Sequence, residues 1–204
     1  KGNKRILVVG VNSWFSKNYL HKLATSKNSK DIELLLSSRN VDGAKCFYGD
    51  KFIKCFGAVS FLDCDEKSLL SAINYSDVLV NFASARPPHG NHRIYESTLF
   101  NIKLAEMVKG SSLNIAINIS SQSVYGNDSN NPYSENDNID IQSCYAMSKA
   151  TIEDAYNRIR TNNKYTKVIN LRVGRLWGGT LDIQQDQVPY KILNNLISGS
   201  DFTY

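Results

Sequence analysis

No stretch of this sequence approaches the length of apolar chain that crosses a bilayer, and its start lacks the apolar core of a signal peptide. A cytoplasmic protein with no membrane partner is therefore the expectation. Concentrated charge is missing too. The formal net charge is only +5, scattered without a Lys/Arg block. That argues against nucleic acid as a partner and suits a protein that handles small anions. The four cysteines, Cys46, Cys55, Cys64 and Cys144, form no Cys-x-x-Cys pair and have no histidine pair beside them. Reduced thiols and no metal site are expected. The sequence does not begin with Met, so its true start is expected upstream, and residues 187–204 break off in what reads as a helix and an unfinished strand.

What is present is an ordinary globular composition, 42% hydrophobic and 21% charged over 204 residues, enough for one domain with a substantial core. Apolar runs at 5–9, 32–36, 57–62, 78–82, 115–119 and 168–173 alternate with helical patterns at 13–27, 65–75, 91–109 and 144–161. Several runs are nearly continuous, as in strands covered on both faces. In the third helix Ile94, Leu99, Ile102, Ala105 and Val108 form one apolar face. This alternation predicts an α/β fold of Rossmann type, a doubly wound parallel sheet with helices on both faces. Residues 1–180 read as that domain, and 181–204 as the incomplete start of a substrate-binding part.

Two stretches carry chemistry. In "VVGVNSWFSKNYL", residues 8–20, Gly10 closes a strand, and Ser13 and Ser16 follow three and six residues on. The pattern reads as a phosphate-binding turn in which two glycines have become serines. A serine there costs about 1 kcal/mol if the backbone needs positive φ. It can equally donate to a phosphate, and the helix N-terminus still attracts an anion. The second stretch is "NISSQSVYG", 118–126, followed by "SCYAMSKATIEDA", 143–155. Tyr145 and Lys149, four apart, share one helix face. The lysine is expected to lower the phenol's pKa. With Ser121 beyond a strand end, these groups can move a proton at a carbinol oxygen while hydride moves at its carbon.

On these residues the sequence resembles the extended short-chain dehydrogenase/reductase family of NAD(P)-dependent sugar-nucleotide epimerases, dehydratases and reductases. "GVNSWFS" is similar to its glycine loop and "FLDCDE" to its Gly-Asp-x-x-Asp segment. "VNFASA", "SSQSVYG", "YAMSK" and "LRVGRLWGG" resemble its later motifs. The resemblance implies Tyr145 as acid/base, Ser121 holding the reacting oxygen, and Lys149 on the nicotinamide ribose, tuning Tyr145. It places Gly10, Ser13, Trp14, Phe15, Ser38, Arg39, Asp63, Cys64, Phe82, Ala83, Ser84 and Val173 at the cofactor, with Tyr145 and Lys149. It places Arg86, Gln122, Ser123 and Arg175 at a nucleotide-sugar substrate.

Departures from the family pattern sharpen these expectations. "LLLSSRN" has Ser37, Ser38 and Arg39 where an acid would grip the ribose of NAD, so NADP is the preferred cofactor and NAD the alternative. Arg175 stands where relatives have an asparagine. It reads either as a contact to substrate phosphate or as a solvated loop residue. Gly179 replaces a proline, and Trp177 is a candidate pocket wall. Gln122 and Ser123 stand where 4,6-dehydratases carry Asp-Glu, so dehydration is disfavoured against epimerisation or keto-sugar reduction. Helices 91–109 and 150–161 each carry an apolar stripe. The stripes either pair two copies into a homodimer or only cover the sheet. The rival reading is a Rossmann protein that binds a nucleotide or a partner without turnover.

Overall fold

Six parallel strands form one sheet in the order β3-β2-β1-β4-β5-β6. They are β1 Lys4–Val9, β2 Ile32–Ser37, β3 Ala58–Leu62, β4 Val78–Asn81, β5 Ile115–Ser121 and β6 Lys167–Val173. The helices are α1 Trp14–Ala24, α2 Val41–Ile53, α3 Glu66–Tyr75, α4 Asn91–Lys109 and α5 Cys144–Asn162. This computed structural model describes residues 3–127, 132–162 and 165–176, together with positions 192, 195, 197 and 198. Trp177, Gly179 and nearly all of the stretch 181–204 lie outside the described residues.

Each predicted apolar run is a strand. β1 and β2 run close to continuously buried, because helices pack on both faces of the sheet. One core joins Leu7, Val9 and Leu79 to α3, α4 and α5, ending in the fully buried Tyr156. The other joins Val8, Leu34 and Leu36 to α1 and α2. In α4 the core face is Ile94, Asn101, Leu104, Ala105 and Val108. Of the predicted stripe, Ile94, Ala105 and Val108 lie on this face, Ile102 is only half-buried, and Leu99 points outward at 43% exposure.

The sequence patterns pointed to no helix between β2 and β3, yet α2 occupies that connection. Asn40 caps it by accepting from Gly43 N at 2.9 Å. Gly49, at φ 60° and ψ 177°, then breaks its path. Two glycines and one interruption blur the period, but Ala44, Tyr48 and Phe52, spaced by four, still form its buried stripe. The Tyr48 hydroxyl donates to Val11 O at 2.7 Å, tying α2 to the loop after β1.

The strand order reverses between β1 and β4, so their carboxyl ends open a crevice, the place where doubly wound sheets bind ligands. Among the described residues no helix is long and apolar enough to cross a membrane. Nor does any group of three or more His, Cys, Asp or Glu there suit a metal ion. All four cysteines are free.

Candidate functional site

Gly10 follows directly on β1 at φ 83°, and a Cβ built there would meet Ala83 N at 2.6 Å. Glycine is required twice over, by the left-handed backbone and by the close approach of the two strand ends. Ser13 needs no such freedom. At φ −71° and ψ 149° it is an unstrained N-cap of α1, accepting from Ser16 N at 3.1 Å. Ser16 is fully buried, and its hydroxyl donates to Gly10 O and Ser13 O, both at 2.9 Å. The serine at the third glycine position therefore fastens the loop from inside. With Ser16 N capped, Trp14 and Phe15 carry the remaining first-turn N–H groups, which have no intrahelical acceptor. They stand at the positive end of α1. The Trp14 indole N–H is buried without a hydrogen-bond partner among the described residues.

At the end of β2, the Ser38 hydroxyl accepts from Asn12 Nδ2 at 2.8 Å and from Asn40 N at 2.9 Å, and donates to Asn40 O. Ser37 is buried, its hydroxyl against Asp63 O and Cys64 Sγ. Both serine hydroxyls are thus engaged within the strand ends, and Arg39 is the exposed cation beside them. Asp63 is exposed and accepts from Cys64 N. Phe82 points down, not outward: its ring packs on Phe15 at 5.1 Å and on Tyr19 at 5.4 Å. Its neighbours Ala83 and Ser84 are half-buried at the mouth of the crevice.

The second cluster faces an open cleft of about 530 Å³ lined by Ser121, Gln122, Ser123, Tyr145 and Arg175, among others. Ser121 and Val173 sit opposite each other at the ends of β5 and β6. The Ser121 hydroxyl accepts from Ser123 N at 3.2 Å and so caps the 3₁₀ turn Gln122–Tyr125. The Ser123 hydroxyl is buried with no hydrogen-bond partner among the described residues. Burial raises the Tyr145 phenol's pKa, and its hydrogen bond with Ser121 and the charge of Arg86 pull the other way. The lowering expected from Lys149 is not what sets this phenol, because desolvation dominates. The Lys149 ammonium lies 5.7 Å from the Tyr145 ring centre and donates to Ile119 O at 2.8 Å. Burial brings its pKa down to about 8, partly opposed by Glu153.

Behind this pair lies a polar layer that the motifs did not reveal. Glu153, one turn beyond Lys149, is bound by Arg172 of β6 at 2.8–3.1 Å. Arg172 also donates to the Tyr125 hydroxyl at 2.7 Å, and Tyr125 stacks on Tyr133 of the cleft at 4.9 Å. The signal was available: Tyr145, Lys149 and Glu153 recur at intervals of four on a single helix face.

The family model described as NAD dependent epimerase/dehydratase family matches residues 6–200. No curated protein matches the chain. Among solved structures, a UDP-glucuronic acid 4-epimerase from Bacillus cereus in complex with NAD superposes with TM-score 0.75 at 17% identity, covering 96% of this chain and 63% of its own. A dTDP-glucose 4,6-dehydratase from Bacillus anthracis in complex with NAD gives 0.74 at 19%, covering 96% and 62%. A UDP-N-acetylglucosamine 4-epimerase from Bacillus cereus gives 0.67 at 16%, covering 89% and 64%. The chain thus spans under two thirds of the length of these structures, and the likeness is one of fold.

Proposed function

Because the chain belongs to the NAD dependent epimerase/dehydratase family, we propose that it is the dinucleotide-binding and proton-transferring part of an enzyme that epimerises or reduces a nucleotide-activated sugar. The observation that carries this reading is the buried Lys149 beneath Tyr145, with Ser121 beside it at the mouth of the cleft.

The crevice fits a dinucleotide. Gly10 keeps the strand end free of a Cβ, and the N–H groups of Trp14 and Phe15 face the place of a pyrophosphate at the positive end of α1. Ser13, as cap, holds that helix end in place. Arg39, with Ser38, Asp63 and Cys64 around it, stands at the adenosine side. Phe82 backs the site, while Ala83, Ser84 and Val173 line it toward the nicotinamide. A bound nicotinamide supplies reversible hydride transfer. The chain's own residues supply the rest: Ser121 holds the substrate oxygen, Tyr145 gives or takes its proton, and Lys149 holds a ribose hydroxyl near the phenol. The cleft's volume falls within the range of small-molecule sites. The unpartnered Ser123 hydroxyl, Gln122, Arg86 and Arg175 are the groups assigned to the sugar nucleotide. Gln122 and Ser123 supply no carboxylate for water elimination, which favours epimerisation or reduction over dehydration. Screening UDP-, dTDP-, GDP- and CDP-sugars, with NADPH absorbance and sugar interconversion as readouts, tests the reading. No turnover with any of them, together with no dinucleotide binding, would turn the assignment to the rival without catalysis. That rival rested on Ser13 and Ser16, whose relaxed geometry supports a working loop instead.

Cofactor choice follows from Arg39. NADPH should bind several-fold more tightly than NADH, since the guanidinium pairs with a 2′-phosphate. Arg39→Asp should reverse that order by adding repulsion and a ribose acceptor. Nicotinamide fluorescence titration measures both, and equal wild-type affinities for the two cofactors would refute the preference.

Assembly follows from the outer faces of α4 and α5. Their inner stripes cover the sheet, which leaves Tyr95, Leu99 and Met147 outward at 62%, 43% and 57% exposure. We expect two copies to bury these residues in a symmetric bundle of four helices. Light scattering at about tens of micromolar should report a dimer if the interface has the standard size. A monomer at that concentration would contradict it.

A further inference from the structure

Three charged groups converge beneath the cleft: Lys149 and Glu153 on α5, and Arg172 on β6. Two are cations and one is an anion. The Lys149 residue is 4% exposed, and the Glu153 side chain is equally buried at 4%. Arg172 Nε donates to both oxygens of Glu153, at 3.0 and 3.1 Å, and its Nη2 donates to Oε2 at 2.8 Å. The Ser120 hydroxyl donates to Oε1 as well. The carboxylate is therefore committed to Arg172 and Ser120. Lys149 makes its hydrogen bond to the Ile119 carbonyl and feels Glu153 only through space.

We infer that Glu153 and Arg172 are a positioning pair for Lys149, in which Glu153 supports the lysine's charge through space and Arg172 holds the carboxylate out of direct contact, so that the ammonium stays available to a ligand in the cleft above it. Both halves of the pair are needed. Without Glu153, burial would drive the proton off Lys149 near neutral pH. Without Arg172, the carboxylate could close on the lysine and neutralise its charge. Arg172 also carries the arrangement outward, since its guanidinium lies 4.7 Å over the Tyr125 ring, which stacks on Tyr133 of the cleft wall. β5 offers Lys149 the Ile119 carbonyl, α4 offers Thr98 engaged with Ser148, and Arg86 acts on Tyr145. Among the described residues Glu153 is the charged group whose field acts on the lysine.

The functional meaning rests on reading Tyr145 and Lys149 as the reacting pair, but the test needs no turnover. Lysine ¹³Cε NMR on the ligand-free protein follows the titration of Lys149, its resonance assigned by loss in Lys149→Met. Glu153→Gln should lower the midpoint by about one unit or more, and Arg172→Met should raise it. A merely structural role predicts otherwise, because a loosened core admits water and raises both midpoints toward that of an ordinary lysine. Glu153→Gln strands a cation, and breaking such a buried pair is strongly destabilising. If that variant does not fold, the double variant Glu153→Gln/Arg172→Met replaces it and should titrate about one unit or more below Arg172→Met. Glu153→Gln at or above wild type, or the double variant at or above Arg172→Met, would overturn the inference. An absent sugar-nucleotide activity would leave this pattern intact, so the two readings fail separately.

Discussion

Tyr145→Phe should lower turnover of a nucleotide sugar by about 10²–10⁴-fold, the usual contribution of a positioned general acid or base. The ring stays, so packing at this half-buried position changes little. What is lost is the hydroxyl that meets Ser121 at the cleft and the proton it carries. Dinucleotide affinity should hold near the wild-type value, because the proposed cofactor contacts are spread over Lys149, the loop after β1, Arg39 and the ends of β4 and β6. The direction of the phenol's shift bears on how the step begins. Burial raises its pKa, so at neutral pH the group stands protonated and ready to donate. Ser121→Ala should be milder, since it removes one hydrogen bond to the same oxygen. Steady-state kinetics with a substrate found by the sugar-nucleotide screen decides the matter. If Tyr145→Phe turns that substrate over at the wild-type rate, Tyr145 is not the proton donor.

Much of this was legible in the residues, and the exceptions have physical causes. β1, β2 and β4, buried on both faces, leave near-continuous apolar runs, and the less buried β3, β5 and β6 still carry enough apolar residues to be found, so the sheet class followed. α2 escaped because Gly43 and Gly49 dilute a stripe of only Ala44, Tyr48 and Phe52. Leu99 showed that periodicity finds a helix face but not which edge of it solvent reaches. Ser13 and Ser16 stood plainly at the glycine positions, but their meaning depended on φ and on hydrogen bonds that no spacing encodes. Ser38 looked like a donor to phosphate until its contacts with Asn12 and Asn40 were seen. The motif placed Tyr145 and Lys149 together but not the depth at which they sit, and depth reversed the expected shift of the phenol. Glu153 and Arg172, 19 residues apart, meet only because β6 returns beside α5.

Lys149→Met should make the protein more stable at pH 7 while weakening dinucleotide binding and activity. In the folded chain the lysine titrates near 8 rather than at its ordinary value of 10.5. Between those values the unfolded chain binds more protons than the folded one, so wild-type stability rises with pH through this window. Below pH 8 the whole penalty is present, about 3 kcal/mol at roughly 1.4 kcal/mol per unit. Methionine keeps the length and apolar stem of the side chain but loses the donor to Ile119 O, which returns about 1 kcal/mol. A net gain of about 2 kcal/mol at pH 7 remains; it should fall to zero near about pH 10 and reverse above it, as the unfolded lysine also loses its proton and only the lost hydrogen bond is left. Arg172 keeps Glu153 paired in the variant, so no stranded carboxylate offsets the gain. Chemical denaturation of both proteins at pH 7 and at about pH 10.5 measures the difference, with all other titrations common to the two. A variant less stable than wild type at pH 7 would mean that Lys149 supports the fold. A more stable variant that no longer binds dinucleotide would show a charge that weakens the fold and is explained by the ligand it serves.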